Sequence, residues 1–144
     1  MVDILHAVTI NAPPAAVYAA LTEQNGLRSW WTEHATAEPK VGAVATFGFY
    51  GGRAVFNFHI DALEPARNVA WAVEQGAPGW EHTRITWDLA DDNGQTNVLF
   101  GHRDWASTEG NYASTNYNWG WYLTSLKHYL ETGTGTPHTD ADMH

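Results

Sequence analysis

The central part of the chain, residues 41–104, is a series of segments in which large apolar side chains alternate with polar ones. The segments "RAVFNFHIDAL", "NVAWAVE", "HTRITWDL" and "QTNVLFGHRDW" share this two-residue period, and turn sequences such as "EPAR" and "DDNG" separate them. Alternation of this kind is typical of strands that bury one face of a sheet, and short turns join neighbouring strands into antiparallel pairs. The sequence therefore predicts a meander of about six antiparallel strands with one apolar face.

The "DDNG" turn predicts how two of these strands pair. If residues 91–94 form the loop, Ile85 lies opposite Phe100 and Thr83 lies opposite His102. The large side chains of both strands then share one face, as the buried side of a sheet requires. His102 is expected on that buried face.

The "EPAR" turn predicts a second pair of strands. Placing Leu63 opposite Asn68 sets Ile60 opposite Trp71, so that the apolar faces of these two strands also coincide. A slip by one residue would turn the apolar side chains of one strand to the opposite face of the sheet.

Helical patterns flank the strand region on both sides. Residues 3–10 are typical of a first strand, and two short helical pieces follow in "NAPPAAVYAALT" and "EQNGLRSWWT". The longest helix candidate is "TNYNWGWYLTSLKHYLETG", which Ser114 or Thr115 is expected to cap and Gly133 to end. Its apolar stripe consists of Trp119, Tyr122, Leu123, Leu126 and Leu130. Because the apolar face of an antiparallel sheet must be covered, this helix is expected to pack on it.

The charge balance argues against nucleic acid and anionic membranes as partners. The chain has 16 acidic and seven basic residues, a formal net charge of −9, whereas a phosphate-backbone binder needs a basic patch. No apolar run approaches the ~18 residues of a membrane span. The N-terminal residues lack a signal-peptide pattern, and cysteine is absent. We therefore expect a cytoplasmic, single-domain protein without disulfides or thiolate metal sites.

Several segments, taken in order, resemble a known superfamily. They are "VTINAPPAAVYAALTEQNGLRSWWT", "FHIDALEPARNVAW", "GWEHTRITWDL", "GQTNVLFGHRDW" and "SLKHYLETGTGTP". Their order and spacing are similar to those of the START-like (SRPBCC) superfamily, in the branch similar to the C-terminal domain of the activator of the 90-kDa heat-shock protein ATPase. The resemblance covers residues 1–137.

The resemblance implies an α+β helix-grip fold, also called START-like or birch-pollen-allergen-like. In this fold a curved antiparallel sheet of about six to seven strands wraps around a long C-terminal helix, with two short helices after the first strand. Residues 1–137 are expected to form a single START-like (SRPBCC) domain. Residues 138–144, which are polar, are expected to form a mobile tail.

The resemblance also implies a hydrophobic cavity between helix and sheet, and the eight tryptophans and other aromatic residues could line it. The leading hypothesis is a binding protein for a hydrophobic or aromatic small molecule, without a cofactor; the alternative is that the rings fill the space. Trp31 is expected at the rim, with His102, Tyr112, Arg28 or Asn116 as polar groups. The residues expected at the ligand are Trp30, Phe47, Phe49, Phe56, Phe58, Trp71, Trp80, Trp87, Phe100, His102, Trp105, Tyr112, Trp119 and Leu123.

Other functions stay open at this point. Polyketide cyclase or aromatase relatives hold a reactive chain beside an acid or base, for which His102, Tyr112 and Asp104 are the candidates. The opposing interpretation is a structural His102, hydrogen-bonded to a hydroxyl such as that of Thr83. A co-chaperone-like interaction module is suggested by the resemblance alone. In the two-domain relatives an N-terminal domain contributes to that activity, and its absence from this sequence argues against a chaperone partner. A homodimer is compatible with the sequence, which carries no signal for one.

Metal binding is not expected. Transition-metal sites need three or four converging ligands, and the histidines show no HxH or HExxH spacing; they are His6, His34, His59, His82, His102, His128, His138 and His144. Paired carboxylates could do glycosidase-like chemistry, but Asp91 and Asp92 lie in a turn and Asp88 faces outward in the predicted pairing. We therefore expect these acids to be solvated.

Overall fold

One antiparallel sheet, closed by a long helix, makes up the fold. A computed structural model describes residues 1–139 of the 144. The seven strands are ordered β1-β7-β6-β5-β4-β3-β2 across the sheet. In chain order the elements are β1 (Val2–Ile10), α1 (Pro14–Thr22), α2 (Gln24–Trp30), β2 (His34–Thr36), β3 (Val44–Phe49), a 3₁₀ turn (Tyr50–Gly52), β4 (Ala54–Glu64), β5 (Asn68–Gln75), β6 (Arg84–Asp92), β7 (Gln95–Trp105) and α3 (Tyr112–Thr132). The expected helix-grip architecture is confirmed, including the two short helices after the first strand.

The β6–β7 hairpin is paired two residues away from the predicted register. Its turn consists of Asn93 and Gly94 alone, with φ values of 54° and 89°, and Ile85 lies opposite His102 rather than Phe100. Positive φ at both central residues marks a tight type I′ hairpin, which Asn-Gly favours over a four-residue loop. Because the error is one full strand period, the predicted faces are correct and His102 is buried.

The β4–β5 hairpin follows the predicted register only on one side of a bulge. Ile60 lies opposite Trp71, as predicted, but Glu64 rather than Leu63 lies opposite Asn68. The pairing is irregular next to Ile60, where β4 contains one extra residue. Alternation alone does not reveal such a bulge, because the strand resumes its period on either side of it.

The two short helices cross closely at a glycine. Glu23, with an extended backbone (φ −91°, ψ 139°), ends α1 and precedes α2. A Cβ atom at Gly26 would lie 2.7 Å from the Cα of Ala20. The missing side chain therefore permits the close approach, and the Trp30 indole donates across it to the Ala20 carbonyl at 2.8 Å.

Helix α3 starts earlier than predicted. Its first residue is Tyr112, and Asn111 rather than Ser114 or Thr115 occupies the N-cap position. The Asn111 amide donates to the Pro78 carbonyl at 2.7 Å. This contact ties the start of the helix to the β5–β6 loop, which a local capping pattern does not indicate.

The predicted end and inner face of α3 are confirmed. Gly133 adopts a left-handed backbone (φ 87°) and its N–H donates to the Tyr129 carbonyl at 2.8 Å. The inner stripe packs on the sheet: Trp119, Tyr122, Leu123 and Leu126 are buried and Leu130 is partly buried. Within residues 1–139, no helix combines the length and the apolar character that crossing a membrane requires.

Side chains of α3 also reach the free edge of β1. The Tyr112 hydroxyl donates to the Asp3 carbonyl at 2.9 Å, and the Lys127 ammonium donates to the Thr9 carbonyl at 2.6 Å. Unpaired groups on an edge strand invite pairing with another chain. The helix therefore covers one sheet face and protects part of one sheet edge.

The prediction of a mobile tail from residue 138 onward is wrong for His138. This residue is fully buried (0% exposed), and its N–H donates to the Trp31 carbonyl at 2.7 Å. Its ring packs edge-on against Phe49 and Tyr50, with centroids 5.0 and 4.7 Å apart. A polar composition indicates weak local structure, but it does not reveal a tertiary contact. Residues 140–144 lie outside the described residues.

We expect Gly26→Ala to lower the free energy of unfolding by about 1–3 kcal/mol, because the added Cβ meets the backbone of Ala20. Gly120→Ala is the matched control, since its nearest neighbour outside the helix is the His6 ring at 3.8 Å. That change should raise the free energy of unfolding by roughly 0.5–1 kcal/mol through helix propensity. Urea denaturation followed by circular dichroism measures both, and effects of the same sign would contradict the close crossing.

Candidate functional site

Aromatic rings fill most of the space between the sheet and α3. The Trp31 ring lies at the centre, and its centroid is 4.3 Å from Phe47, 5.2 Å from Trp119 and 6.1 Å from Trp71. All four side chains are buried. Rings at these separations are in contact, in arrangements typical of aromatic clusters. Packed side chains therefore take up most of the space in which the resemblance implied a large cavity.

A half-open cleft of about 180 Å³ remains at one end of this cluster. The β3–β4 connection, the β5–β6 loop and the first half of α3 form its walls. It is lined by Trp31, Phe49, Tyr50, Ala54, Phe56, Ala77, Trp80, Asn111, Ser114, Thr115, Asn118, Trp119 and Tyr122, none of them charged. The cleft is smaller than the roughly 300–1,000 Å³ of sites for drug-sized ligands, but larger than a cavity of about 150 Å³ that holds benzene.

The structure brings four of the residues predicted at the ligand to this cleft, namely Phe49, Phe56, Trp80 and Trp119. The others pack in the core or against it and do not line the cleft; they are Trp30, Phe47, Phe58, Trp71, Trp87, Phe100, His102, Trp105, Tyr112 and Leu123. Alternation along a strand tells which way a side chain points. It does not tell whether the side chain meets a neighbour or an open space.

The polar groups predicted for the cavity make other contacts. The Tyr112 hydroxyl donates to the Asp3 carbonyl, and Arg28 Nε donates to a backbone carbonyl at 2.8 Å. The Asn116 Oδ1 lies 2.8 Å from His6 Nε2 in an exposed contact. These three side chains stabilise the fold around the cleft and do not line it.

The polar residues that do line the cleft lie on α3, and the sequence prediction missed them as site residues. They are Asn111, Ser114, Thr115 and Asn118. A signal was available in the helical period. Steps of four from Trp119 and Tyr122 toward the start of the helix reach these same positions, so the inner face of α3 continues as a polar face.

His102 is held by a directional chain of hydrogen bonds. The Trp119 indole donates to Nδ1 at 3.1 Å. The other ring nitrogen, Nε2, lies 2.9 Å from the Thr83 hydroxyl, and that hydroxyl donates to the Trp80 carbonyl at 2.6 Å. Because an indole N–H can only donate, Nδ1 is the acceptor and the ring proton sits on Nε2. Each donor in the chain thus has an acceptor.

Burial lowers the pKa of His102 from its ordinary value of 6.5 to about 3. Protonation would also set a second N–H against the Trp119 indole N–H. A neutral ring with both nitrogens engaged is poorly suited to proton transfer near neutral pH. The geometry favours the structural interpretation, in which Thr83 is the hydroxyl partner.

Asp104 does not orient His102. Its φ of 71° turns the backbone at the end of β7, and its carboxylate accepts a hydrogen bond from Arg84 Nε at 2.9 Å. The Asp104 N–H donates to the Asp3 carboxylate at 3.0 Å. The carboxylate that the sequence suggested as a partner of the imidazole is therefore engaged in an exposed ion pair.

The other histidines and the acids are the remaining candidates for metal ligands. Within residues 1–139, no group of three or more His, Cys, Asp or Glu side chains is placed to hold a metal ion; His144 lies outside that range. Asp91 accepts a hydrogen bond from the Gly94 N–H at 3.1 Å in the β6–β7 turn. Asp88 and Asp92 are exposed. The three acids are exposed, as expected, but Asp91 and Asp92 end β6 instead of lying in the turn, which Asn93 and Gly94 form.

Comparison with known proteins identifies one family. The sequence model of the family described as Activator of Hsp90 ATPase homolog 1-like protein matches residues 11–131. Among solved structures, the solution structure of the Aha1 dimer from Colwellia psychrerythraea is 36% identical, with a TM-score of 0.84, and the match covers 94% of this chain and 100% of that chain. A search of curated protein sequences finds no significant match.

Two more distant structures have the same fold. A protein from Staphylococcus saprophyticus is 19% identical with a TM-score of 0.80, over 96% of this chain and 98% of that chain. DynU16, described as a putative protein in the dynemicin biosynthetic locus, is 22% identical with a TM-score of 0.79, over 96% of this chain and 50% of that chain. At these identities the likeness is one of fold.

We expect His102 to make the stability of the protein depend on pH. The unfolded chain takes up a proton on this residue near pH 6.5, whereas the folded chain does so only near 3. Between these values the unfolded state binds more protons, so the free energy of unfolding falls as the pH is lowered. From about pH 7 to about pH 5 the loss is about 2 kcal/mol.

Urea denaturation of the wild type and of His102→Gln, at about pH 7 and about pH 5, measures this loss. Glutamine keeps hydrogen-bonding groups but does not titrate, so the variant should lose about 2 kcal/mol less than the wild type. His128→Gln, at an exposed position on α3, is the control and should behave as the wild type. An identical pH dependence in all three proteins would show that His102 is not the group responsible.

Proposed function

This chain belongs to the family of Activator of Hsp90 ATPase homolog 1-like proteins, and we propose that it is a binding protein for a small apolar or aromatic molecule. The observation that carries the proposal is the cleft of about 180 Å³, whose walls are largely aromatic and uncharged. Ligand sites are typically concave and apolar, with a small number of placed polar groups. The cleft has this composition, and α3 supplies the polar groups.

The size of the cleft narrows the ligand to about one ring. A cavity of about 150 Å³ accommodates benzene, so a space of about 180 Å³ accepts a single ring with a small substituent. A lipid or a polycyclic polyketide would require the walls to move apart. The proposed ligand is therefore a single substituted ring, which is at the small end of the hydrophobic molecules expected from the sequence.

Several of the aromatic rings that line the cleft are close to one another. The Trp80 ring lies 4.7 Å from Phe56 and 6.3 Å from Trp119, measured between centroids, with the two indoles inclined by only 23°. Each aromatic pair contributes about 0.5–1.5 kcal/mol beyond the burial of area. A planar ligand in contact with two of these rings gains from both terms.

Two other functions have less support. The three residues proposed for cyclase-like chemistry make other contacts: His102 with Trp119, Asp104 with Arg84, and Tyr112 with the Asp3 carbonyl. A chaperone-directed role rests on the family description alone. The cleft is therefore a better basis for a proposal than either.

We expect Ala77→Leu to weaken binding of toluene by about tenfold or more, because the added side chain occupies the cleft that Ala77 lines. Two-dimensional ¹H–¹⁵N NMR spectra recorded during a toluene titration measure the affinity through the indole signals of Trp80 and Trp119. Ala90→Leu, at an exposed position on β6, is the control and should bind as the wild type does. Wild-type indole signals that do not move at saturating toluene would contradict the proposal.

We infer further that a second copy of this chain is a partner. The relative from Colwellia psychrerythraea, 36% identical, is described as a dimer. On the outer face of this sheet, Leu5 in β1 and Leu99 in β7 are 55% and 44% exposed. The β1–β7 register sets Leu99 opposite Ala7, two residues from Leu5, so these side chains form one apolar patch.

We expect the double variant Leu5→Ser/Leu99→Ser to be monomeric where the wild type is dimeric. Size-exclusion chromatography with light scattering measures the mass. Tyr117→Ser, at a 73% exposed apolar position on α3, is the control and should leave the dimer intact. Added salt should favour the dimer, because each copy carries a formal net charge of −9. A wild-type protein that stays monomeric at high salt would contradict the inference.

A further inference from the structure

The inner face of α3 changes character along the helix. Its first two turns present polar side chains to the cleft, namely Asn111, Ser114, Thr115 and Asn118. From Trp119 onward the inner face is dominated by buried aromatic and aliphatic residues. Polar groups that lose contact with water need hydrogen-bond partners. The partners of these four side chains therefore indicate what the cleft is suited to hold.

Two of the four side chains have their partners within the protein. The Asn111 amide donates to the Pro78 carbonyl at 2.7 Å, and the Ser114 hydroxyl donates to the Asn111 carbonyl at 3.2 Å. The first contact holds the start of the helix against the β5–β6 loop, and the second lies within the first turn of the helix. They shape the mouth of the cleft and do not call for a ligand.

The Thr115 hydroxyl hydrogen is not accepted by any group in the described part of the chain. The side chain is only 6% exposed, and its oxygen accepts a hydrogen bond from the Trp80 indole at 3.1 Å. Within residues 1–139 no acceptor lies in hydrogen-bonding geometry for the Thr115 O–H. A hydroxyl can donate one hydrogen bond while it accepts another. A buried donor thus borders the cleft.

Asn118 lies one turn further along the same wall. Its amide makes no hydrogen bond to any other group in residues 1–139, so both its N–H donors and its oxygen are available. Together with the Thr115 hydroxyl, it places hydrogen-bond donors on the helical side of the cleft. The opposite side consists of aromatic rings and alanines from the β3–β4 connection and the β5–β6 loop.

The lining of the cleft contains no charged residue, and this determines whether the donors are suited to a charged or a neutral acceptor. A carboxylate ligand would lie beside no cation in the lining of the cleft, and an unpaired charge removed from water is strongly disfavoured. A neutral oxygen carries no such penalty. We propose that the cleft is selective for a neutral aromatic carbonyl compound, a single ring whose carbonyl oxygen accepts from the Thr115 hydroxyl and the Asn118 amide. This inference rests on the proposed function and narrows its ligand class.

Three probes of similar ring size test the selectivity: acetophenone, toluene and benzoate. Acetophenone should bind roughly 3- to 10-fold more tightly than toluene, since it adds the hydrogen bonds and keeps the ring. Benzoate should bind at least about tenfold more weakly than acetophenone, because its charge is unpaired in the cleft. Titrations monitored by ¹H–¹⁵N NMR through the Trp80 indole signal measure all three affinities.

Two substitutions assign the preference to the two side chains. Thr115→Val has the same shape without the hydroxyl, and Asn118→Leu removes the amide at similar size; each should lower the ratio of acetophenone affinity to toluene affinity by about threefold or more. Thr115→Ser should retain the preference. The matched control is Thr124→Val on the exposed side of α3, where the hydroxyl bonds to the Gly120 carbonyl, and it should have no effect on either probe.

The possible outcomes separate this inference from the proposed function. If wild-type protein binds toluene as tightly as acetophenone, or if neither Thr115→Val nor Asn118→Leu changes the ratio of the two affinities, the carbonyl preference is wrong and the cleft remains an apolar ring site. If Thr115→Val weakens both probes equally, the ratio of acetophenone affinity to toluene affinity in Asn118→Leu decides whether the carbonyl preference is correct. Wild-type protein that binds none of the probes would overturn the proposed function together with the preference.

Discussion

The hydrogen bond from the Trp119 indole to His102 is the contact on which the rest of this structure depends. Burial of aromatic rings is strongly stabilising but has little directionality, so it does not by itself set how a helix lies on a sheet. The chain of bonds through His102 to Thr83 and the Trp80 carbonyl supplies direction, and it links α3, β7 and the β5–β6 loop. Trp80 then bonds back to the helix at Thr115. The walls of the cleft are therefore positioned by the same contacts that close the fold.

Aromatic bulk explains why so little open space is left. The indole N–H groups of Trp87 and Trp105 are buried, with no acceptor within residues 1–139, a loss of about 1–3 kcal/mol for each. Both rings make close contacts with other rings, such as the 4.7 Å separation of Trp87 and Phe100, and each such pair contributes about 0.5–1.5 kcal/mol beyond burial. Trp87 and Trp105 therefore stabilise the core by filling space. The cleft of about 180 Å³ lies at the end of the helix where polar side chains replace rings.

In this protein the sequence predicted the face on which a side chain lies better than it predicted which distant residues are in contact. The two-residue period of β6 and β7 placed His102 on the buried face even though the turn was misplaced, because a shift by two residues preserves the face. The helical period likewise predicted the inner stripe of α3 and its end at Gly133. The bulge in β4, the contact of Asn111 with Pro78 and the burial of His138 depend on partners far away in the sequence. Whether the inner rings enclose a space depends on side-chain depth, which no period encodes.

The chain segment after α3 packs behind one wall of the cleft. His138 accepts a hydrogen bond from the Tyr50 N–H at 3.2 Å through its Nε2, and the Thr136 N–H donates to the Ser125 hydroxyl at 2.8 Å. Tyr50 also lines the cleft. A chain truncated before His138 lacks the imidazole that holds Tyr50 in place. The shape of the cleft therefore depends on a segment that lies beyond the last helix.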